Sequence, residues 1–93
     1  VIEYDPEKDR SSRHGLPFAL AWEIFVGDFI EEEDERFDYG ETRFVAIGPV
    51  YSLDGLLCSV CYTWRGVNRR IISFRRASDR EARKYRDRHS RSA

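Results

Sequence analysis

From Phe18 onward, apolar residues recur at helical spacing, with Ala21, Trp22 and Phe25 at i+3, i+4 and i+7, and this predicts an amphipathic helix with one face in the core. Gly27-Asp28 ends that pattern. Phe29 to Glu35 then reads as a strand or hairpin bearing the acidic run Glu31-Glu32-Glu33-Asp34-Glu35, for which a solvated surface is a simpler reading than a mimic of nucleic acid. Further along, Thr42 to Val50, Leu56 to Trp64 and Val67 to Arg76 are rich in β-formers and are separated by turn signals at Tyr51–Gly55 and Arg65-Gly66, which predicts an antiparallel meander.

The two ends complete the plan. Val1-Ile2-Glu3-Tyr4 has strand character, and Asp5-Pro6 supplies a cap followed by proline at the first helical position. A short helix to about Arg13, closed by His14-Gly15, is expected. Ser78-Asp79-Arg80-Glu81 fits a capping box and predicts a helix from Asp79 to about His89, with residues 90–93 frayed. The order predicts an α+β fold, an antiparallel sheet with N-terminal helices and a C-terminal helix. A chain of 93 residues is expected to form one domain, 1–93, because a second core would leave each half too small to offset its chain entropy. No apolar run approaches the roughly 20 residues of a membrane span, and the N-terminus lacks a basic-then-apolar leader pattern, so a cytoplasmic protein with no membrane partner is expected.

Cys58 and Cys61 form a C-x-x-C, but on a strand residues three apart point to opposite faces and lie about 10 Å apart. Buried free thiols are expected rather than a redox pair or half a zinc site, and no metal or other cofactor is expected. Charge changes the picture more. Residues 1–63 carry five basic and fourteen acidic groups, residues 64–93 eleven basic and three acidic, although the whole chain nets only −1. A basic final third on an acidic domain points to a localised anion-binding surface, nucleic acid first, with an Arg-rich solvated tail as the plainer alternative.

Strand alternation over Val67 to Arg76 places Arg70, Ile72, Phe74 and Arg76 on one face and Arg69, Ile71, Ser73 and Arg75 on the other. Four arginines in one strand are costly in a core, so a pair is expected at a rim or groove where phosphate, matched to the guanidinium fork, can meet them. RNA cleavage without a metal needs a group to take the 2′-hydroxyl proton, cations for charge growing on phosphorus and a donor to the leaving oxygen. Arg65, Arg70 and Arg76 are candidate cations; His14, Lys8, Glu41 and Tyr85 are candidate proton exchangers. A lone His beside a helix-ending Gly is more often a cap than a catalyst. Tyr62 and Trp64, opposite in facing to Thr63 and Arg65, suit base stacking or core packing equally. Lys84 and Tyr85, with Arg80, Arg83, Arg86 and Arg88, suit either a basic helical face or a solvated helix.

The blocks Tyr4-Asp5-Pro6-Glu7-Lys8, Arg13-His14-Gly15 with Phe18, Gly40-Glu41-Thr42-Arg43-Phe44-Val45-Ala46-Ile47-Gly48, Tyr62-Thr63-Trp64-Arg65-Gly66, Arg70-Ile71-Ile72-Ser73-Phe74-Arg75-Arg76-Ala77 and Glu81 to Tyr85 follow one another in an order that resembles the BrnT family over nearly the whole chain. The resemblance implies a RelE-like fold, a ribonuclease that arrests translation, a BrnA-like antitoxin as partner, and contact with operator DNA only through the toxin–antitoxin complex. Carried over by position, it implies catalysis by Lys8, His14, Arg65, Arg70 and Arg76 and RNA binding by Arg75, to which the basic strand and helix add Arg69, Lys84 and Tyr85. This chain has Trp64 where an acidic residue is usual before the turn arginine. The alternative function is therefore a non-catalytic nucleic-acid-binding or corepressor module of the same fold. A DNA-binding domain acting alone fits worse, because no helix-turn-helix spacing precedes the basic region.

Overall fold

A computed structural model of the chain describes residues 1–10, 16–36 and 38–92. Strand β1 (Ile2–Glu3) leads into helix α1 (Pro6–Arg10), capped as the sequence predicts: the Asp5 carboxylate accepts from the Glu7 N–H at 2.9 Å. The expected extension to Arg13 and its closure by His14-Gly15 lie outside the described residues. Next come a 3₁₀ turn (Phe18–Ala21), helix α2 (Trp22–Val26), strands β2 (Ile30–Asp34), β3 (Arg43–Val50), β4 (Leu56–Arg65) and β5 (Asn68–Arg76), and helix α3 (Asp79–Ser92). The capping box predicted at Ser78 is formed in both directions, Ser78 N–H to Glu81 at 2.9 Å and Glu81 N–H to Ser78 Oγ at 3.2 Å. Helix α3 runs to Ser92, past the expected end near His89.

The fold is α+β, but the sheet is mixed rather than antiparallel. Its strand order is β1-β5-β4-β3-β2, with β1 parallel to β5 and every other pair antiparallel. The chain leaves β1, crosses through the helices to the far edge and fills the sheet back toward β1. Three successive reversals from β2 then leave β5 running the same way as β1. The last reversal is a two-residue turn in which Gly66 takes φ 60°, the positive value required at the first central position of a II′ hairpin.

The sheet's inner face carries Ala46, Val50, Cys58, Val60, Tyr62, Ile71 and Phe74 against Phe18, Ala21 and Ile24, all buried. Each large apolar side chain so removed from water contributes about 1.5–3 kcal/mol. The expected helix over Phe18 to Phe25 begins instead as a 3₁₀ turn, because Pro17 starts it with an i→i+3 bond, Leu20 N–H to Pro17 O at 3.1 Å. Three residues per turn put Phe18, Ala21 and Ile24 inward and leave Trp22, expected in the core, 43% exposed against the edge of Tyr51. Glu23 is buried behind this turn, and the Ser52 N–H and hydroxyl both donate to it, fastening α2 to the segment after β3.

A β-bulge sets the second half of the sheet. Cys61 pairs with Ser73 but Tyr62 pairs with Ile71, so Ile72 is the extra residue. The simple alternation expected for β5 therefore fails: Arg69, Ile71, Phe74 and Arg76 fall in register with the inner face, and Arg70, Ser73 and Arg75 with the outer face. Cys58 is inner and buried, Cys61 is outer and half-buried, and both are free thiols. Burial pushes Cys58 up to about 11 and raises Cys61 as well. Among the described residues no helix is long and apolar enough to cross a membrane.

At Gly48, β3 presses against α2 and the segment after it: a Cβ there would stand 3.1 Å from Phe29 Cβ and 3.3 Å from both the Asp28 carbonyl oxygen and Ile24 Cγ2. Gly48→Ala is expected to cost about 1–3 kcal/mol in urea unfolding, an overpacking penalty, with an unchanged m-value. A neutral substitution would show that this contact is not tight.

Candidate functional site

The outer face of the sheet carries most of the polar side chains. β3 contributes Arg43, β4 Thr63 and Arg65, β5 Asn68, Arg70 and Arg75, and β1 Glu3. Arg65 pairs in register with Asn68 and Thr63 with Arg70, so the Arg65 and Arg70 side chains are diagonal neighbours on adjacent strands. Glu41 binds Arg43 at 3.1 Å and Arg65 at 3.8 Å, and Glu3 approaches Arg70 at 3.7 Å. The Arg65 side chain is 59% exposed. Lys8 is exposed on α1. The Cys61 thiol, raised first by burial and then by Asp34, is drawn back by Arg43, Arg36 and Lys8.

At the other end of this face α3 lies across the sheet, held by ion pairs. Glu81 accepts from Arg75 Nη1 at 2.7 Å and Nη2 at 3.1 Å, from the Ser59 hydroxyl at 3.1 Å and from the Ser78 N–H. Burial raises this carboxyl, but the Arg75, Ser78 and Ser59 hydrogen bonds outweigh it and hold it at about 2. One turn and two turns on, Lys84 and Arg88 both bind Glu32 of β2, and the Tyr85 hydroxyl donates to the Asp28 carbonyl at 2.8 Å. Between helix and strands runs a groove of about 550 Å³ with Val45, Ile47, Ser59, Cys61 and Ser73 on its floor and Glu32, Arg75, Arg80 and Lys84 on its walls.

The nine candidate residues do not converge on one point. Arg65 and Arg70 share one end of the outer face, Lys8 is exposed on α1, and Arg75, Lys84 and Tyr85 serve the docking of α3. Arg76 stands five strand steps beyond Arg70 once the bulged Ile72 is discounted, about 17 Å along the strand, and in inner-face register. Arg69 is also turned inward. Its guanidinium lies 4.0 Å over Phe25, 4.6 Å over Trp64 and 5.3 Å over Tyr62, and its Nε is buried without a hydrogen-bond partner. His14 lies outside the described residues.

Sequence reasoning missed the acidic strand's part in this surface. Asp34 is buried, bound by Arg36 at 2.9 and 3.0 Å and by the Tyr39 hydroxyl at 3.0 Å, and these partners, Arg36 foremost, hold it at about 2. Glu31, inner-facing, takes the Tyr62 hydroxyl, which burial foremost pushes up to about 12. The expected solvated surface holds for Glu31, Glu32, Glu33 and Glu35, which are exposed on both faces of this edge strand, and fails at Asp34, which its Arg36 and Tyr39 partners bury. No group of three or more His, Cys, Asp or Glu side chains suited to a metal occurs among the described residues.

A family model described as the ribonuclease toxin, BrnT, of type II toxin–antitoxin systems matches residues 4–81. That span runs from the end of β1 through the first turn of α3 and includes every arginine of β5. No individual curated protein matches the chain.

Glu81 ties three elements, so Glu81→Gln is expected to lower the unfolding free energy at pH 7 by about 1–3 kcal/mol, the cost of hydrogen bonds to a charged group. The carboxyl titrates lower in the folded chain than its ordinary 4.5, so its stabilisation is complete above that value and drains as pH falls toward about 2. The gap between parent and variant should therefore narrow across that window in urea titrations. A gap of equal size at both ends would show that the Glu81 charge is not the source.

Proposed function

Because the chain belongs to the BrnT family of ribonuclease toxins from type II toxin–antitoxin systems, we propose that it is a RelE-like endoribonuclease that cleaves RNA through attack of a 2′-hydroxyl on the adjacent phosphate, without a metal. Its effect is arrest of translation in the cytoplasm, and its control is a BrnA-like antitoxin that covers the basic surface and carries the pair to operator DNA. The observation that carries this reading is the adjacency of Arg65 and Arg70 on the outer face, where a scissile phosphate would meet two guanidinium groups at once.

Both groups are held loosely. Their carboxylate partners stand 3.7–3.8 Å away at partly exposed positions, and pairs of that kind contribute at most about 1 kcal/mol. A phosphate can displace Glu41 from Arg65 and Glu3 from Arg70 at little cost, and Glu41, still bound by Arg43 at 3.1 Å, is the candidate carboxylate to take the 2′-hydroxyl proton. Lys8 is the candidate donor to the leaving 5′-oxygen, and His14 is carried over by the same resemblance as a second candidate proton exchanger. Arg75 is bidentate on Glu81, so its role is to set the sheet and α3 in place; Arg76, Lys84 and Arg69 act, in this reading, away from the scissile phosphate.

Purified chain is expected to cut single-stranded RNA to products ending in 2′,3′-cyclic phosphate, undiminished by EDTA and blocked by a 2′-deoxy nucleotide at the cut. Arg70→Ala should lower kcat by roughly 100-fold, the usual loss when one group stabilising transition-state charge is removed. RNA left intact together with unimpaired growth on expression would refute the reading. Salt-sensitive binding without cleavage would instead establish the non-catalytic module.

A further inference from the structure

Helix α3 presents two working faces. Glu81, Lys84, Tyr85 and Arg88 point to the sheet and are bound there. The adjacent face, through Asp79, Ala82, Arg83 and Arg86, looks toward the β3–β4 connection and borders a second groove of about 600 Å³. Arg76 forms its third basic wall, and Leu56 and Leu57 help to line it.

The cations of this groove differ from most of the others on the described part of the molecule; Arg69, stacked on aromatic rings, and Arg80, on the wall of the first groove, also have no carboxylate within 4.0 Å. Arg36, Arg43, Arg65, Arg70, Arg75, Lys84 and Arg88 each have a carboxylate within 4.0 Å. Arg76, Arg83 and Arg86 have none among the described residues, although Asp79 and Asp87 line the same groove. Asp79 sits in the first turn of α3, where the helix N-terminus offsets its charge. Arg83 and Arg86, at i and i+3, share one helix face, so their guanidinium groups act side by side. Three forked donors left without carboxylates of their own, around an open groove, form an anion site whose acceptors come from outside the chain.

We propose that this groove binds the phosphate backbone of the RNA strand some nucleotides away from the cut, with Arg76, Arg83 and Arg86 as its contacts. The inference rests on the ribonuclease reading above for the identity of the polyanion. Arg76 directly follows Arg75 on β5 but in inner-face register, about 17 Å from Arg70 once the bulge is allowed for, so one extended single strand meets both by passing round the β5 edge that β1 leaves uncovered beyond Arg70 among the described residues. The groove then holds the strand while Arg65 and Arg70 meet the scissile phosphate. Its effect is on affinity for long substrates and not on the chemical step.

The test is fluorescence anisotropy with a labelled 12-mer carrying 2′-O-methyl groups, which cannot be cut, over a salt series, beside cleavage of that length and of a dinucleotide. Arg83→Gln/Arg86→Gln is expected to weaken 12-mer binding on the order of tenfold and to reduce the slope of log affinity against log salt by about 1.4, at about 0.7 for each phosphate no longer neutralised. KM for the long substrate should rise with kcat and dinucleotide cleavage unchanged, and Arg83→Lys/Arg86→Lys should restore most of the slope. Wild-type affinity and slope in the Gln variant, with the parent chain cutting RNA normally, would overturn the groove and leave the ribonuclease reading standing. A parent chain that neither binds nor cuts RNA would overturn both. A Gln variant that loses antitoxin affinity but keeps RNA affinity would assign the groove to an acidic protein instead, and would equally overturn the proposal.

Discussion

One extra residue in β5 decides how the arginines of this protein are shared between two surfaces. With Ile72 accommodated as a bulge opposite Cys61 and Tyr62, the strand keeps Phe74 and Ile71 both in the core although they are three residues apart. The same shift turns Arg69 inward and leaves Arg70 and Arg75 on the outer face. An unbulged strand would have to turn either Ile71 or Phe74 out toward solvent, at about 1.5–3 kcal/mol. The bulge thus reconciles a continuous core with a strand that is nearly half arginine.

The second constraint is electrostatic and internal. The acidic strand β2 and the basic helix α3 are the two charged extremes of the sequence, and the fold sets them against each other: Glu32 takes Lys84 and Arg88, while Glu81 takes Arg75. Much of the positive charge in the last third is therefore already matched within the molecule. A count of charges by segment overstates what is available to a ligand. What counts is the subset left loosely paired, Arg65 and Arg70, or exposed to a groove without a carboxylate among the described residues, Arg76, Arg80, Arg83 and Arg86.

Most of the architecture was readable because it rests on local signals. The three long strands, their turns, the Asp5 cap and the Ser78 box depend on residues within a few positions of one another, and all appear within a few residues of where they were expected. Legibility ended where distant partners decide. The parallel pairing of β1 with β5 depends on where the whole chain returns, and the bulge depends on which neighbour meets Ile71. The 3₁₀ start at Pro17 changed the period of a helix from 3.6 to 3, which moved Trp22 out and Ile24 in. In the site, the arginines were visible as residues, but their carboxylates, up to 67 positions away as with Glu3 and Arg70, were not.

Arg69 shows how a charge can be made structural without a counter-ion. Stacked on Phe25, Trp64 and Tyr62, its guanidinium gains from three ring faces what a carboxylate would otherwise supply, while its buried Nε has no hydrogen-bond partner. This explains the tryptophan at a position where the resemblance leads one to expect an acid: Trp64 pairs in register with Arg69 and closes the cage from the β4 side. The carboxylate that Arg65 would then lack comes from Glu41, just ahead of β3. The cage pins the start of β5 against β4 and α2, and Arg70, the next residue, leaves that pinned backbone toward the outer face. A loosely paired side chain on a rigid base combines readiness to exchange its partner with a fixed position, which is what stabilising charge on a phosphate requires.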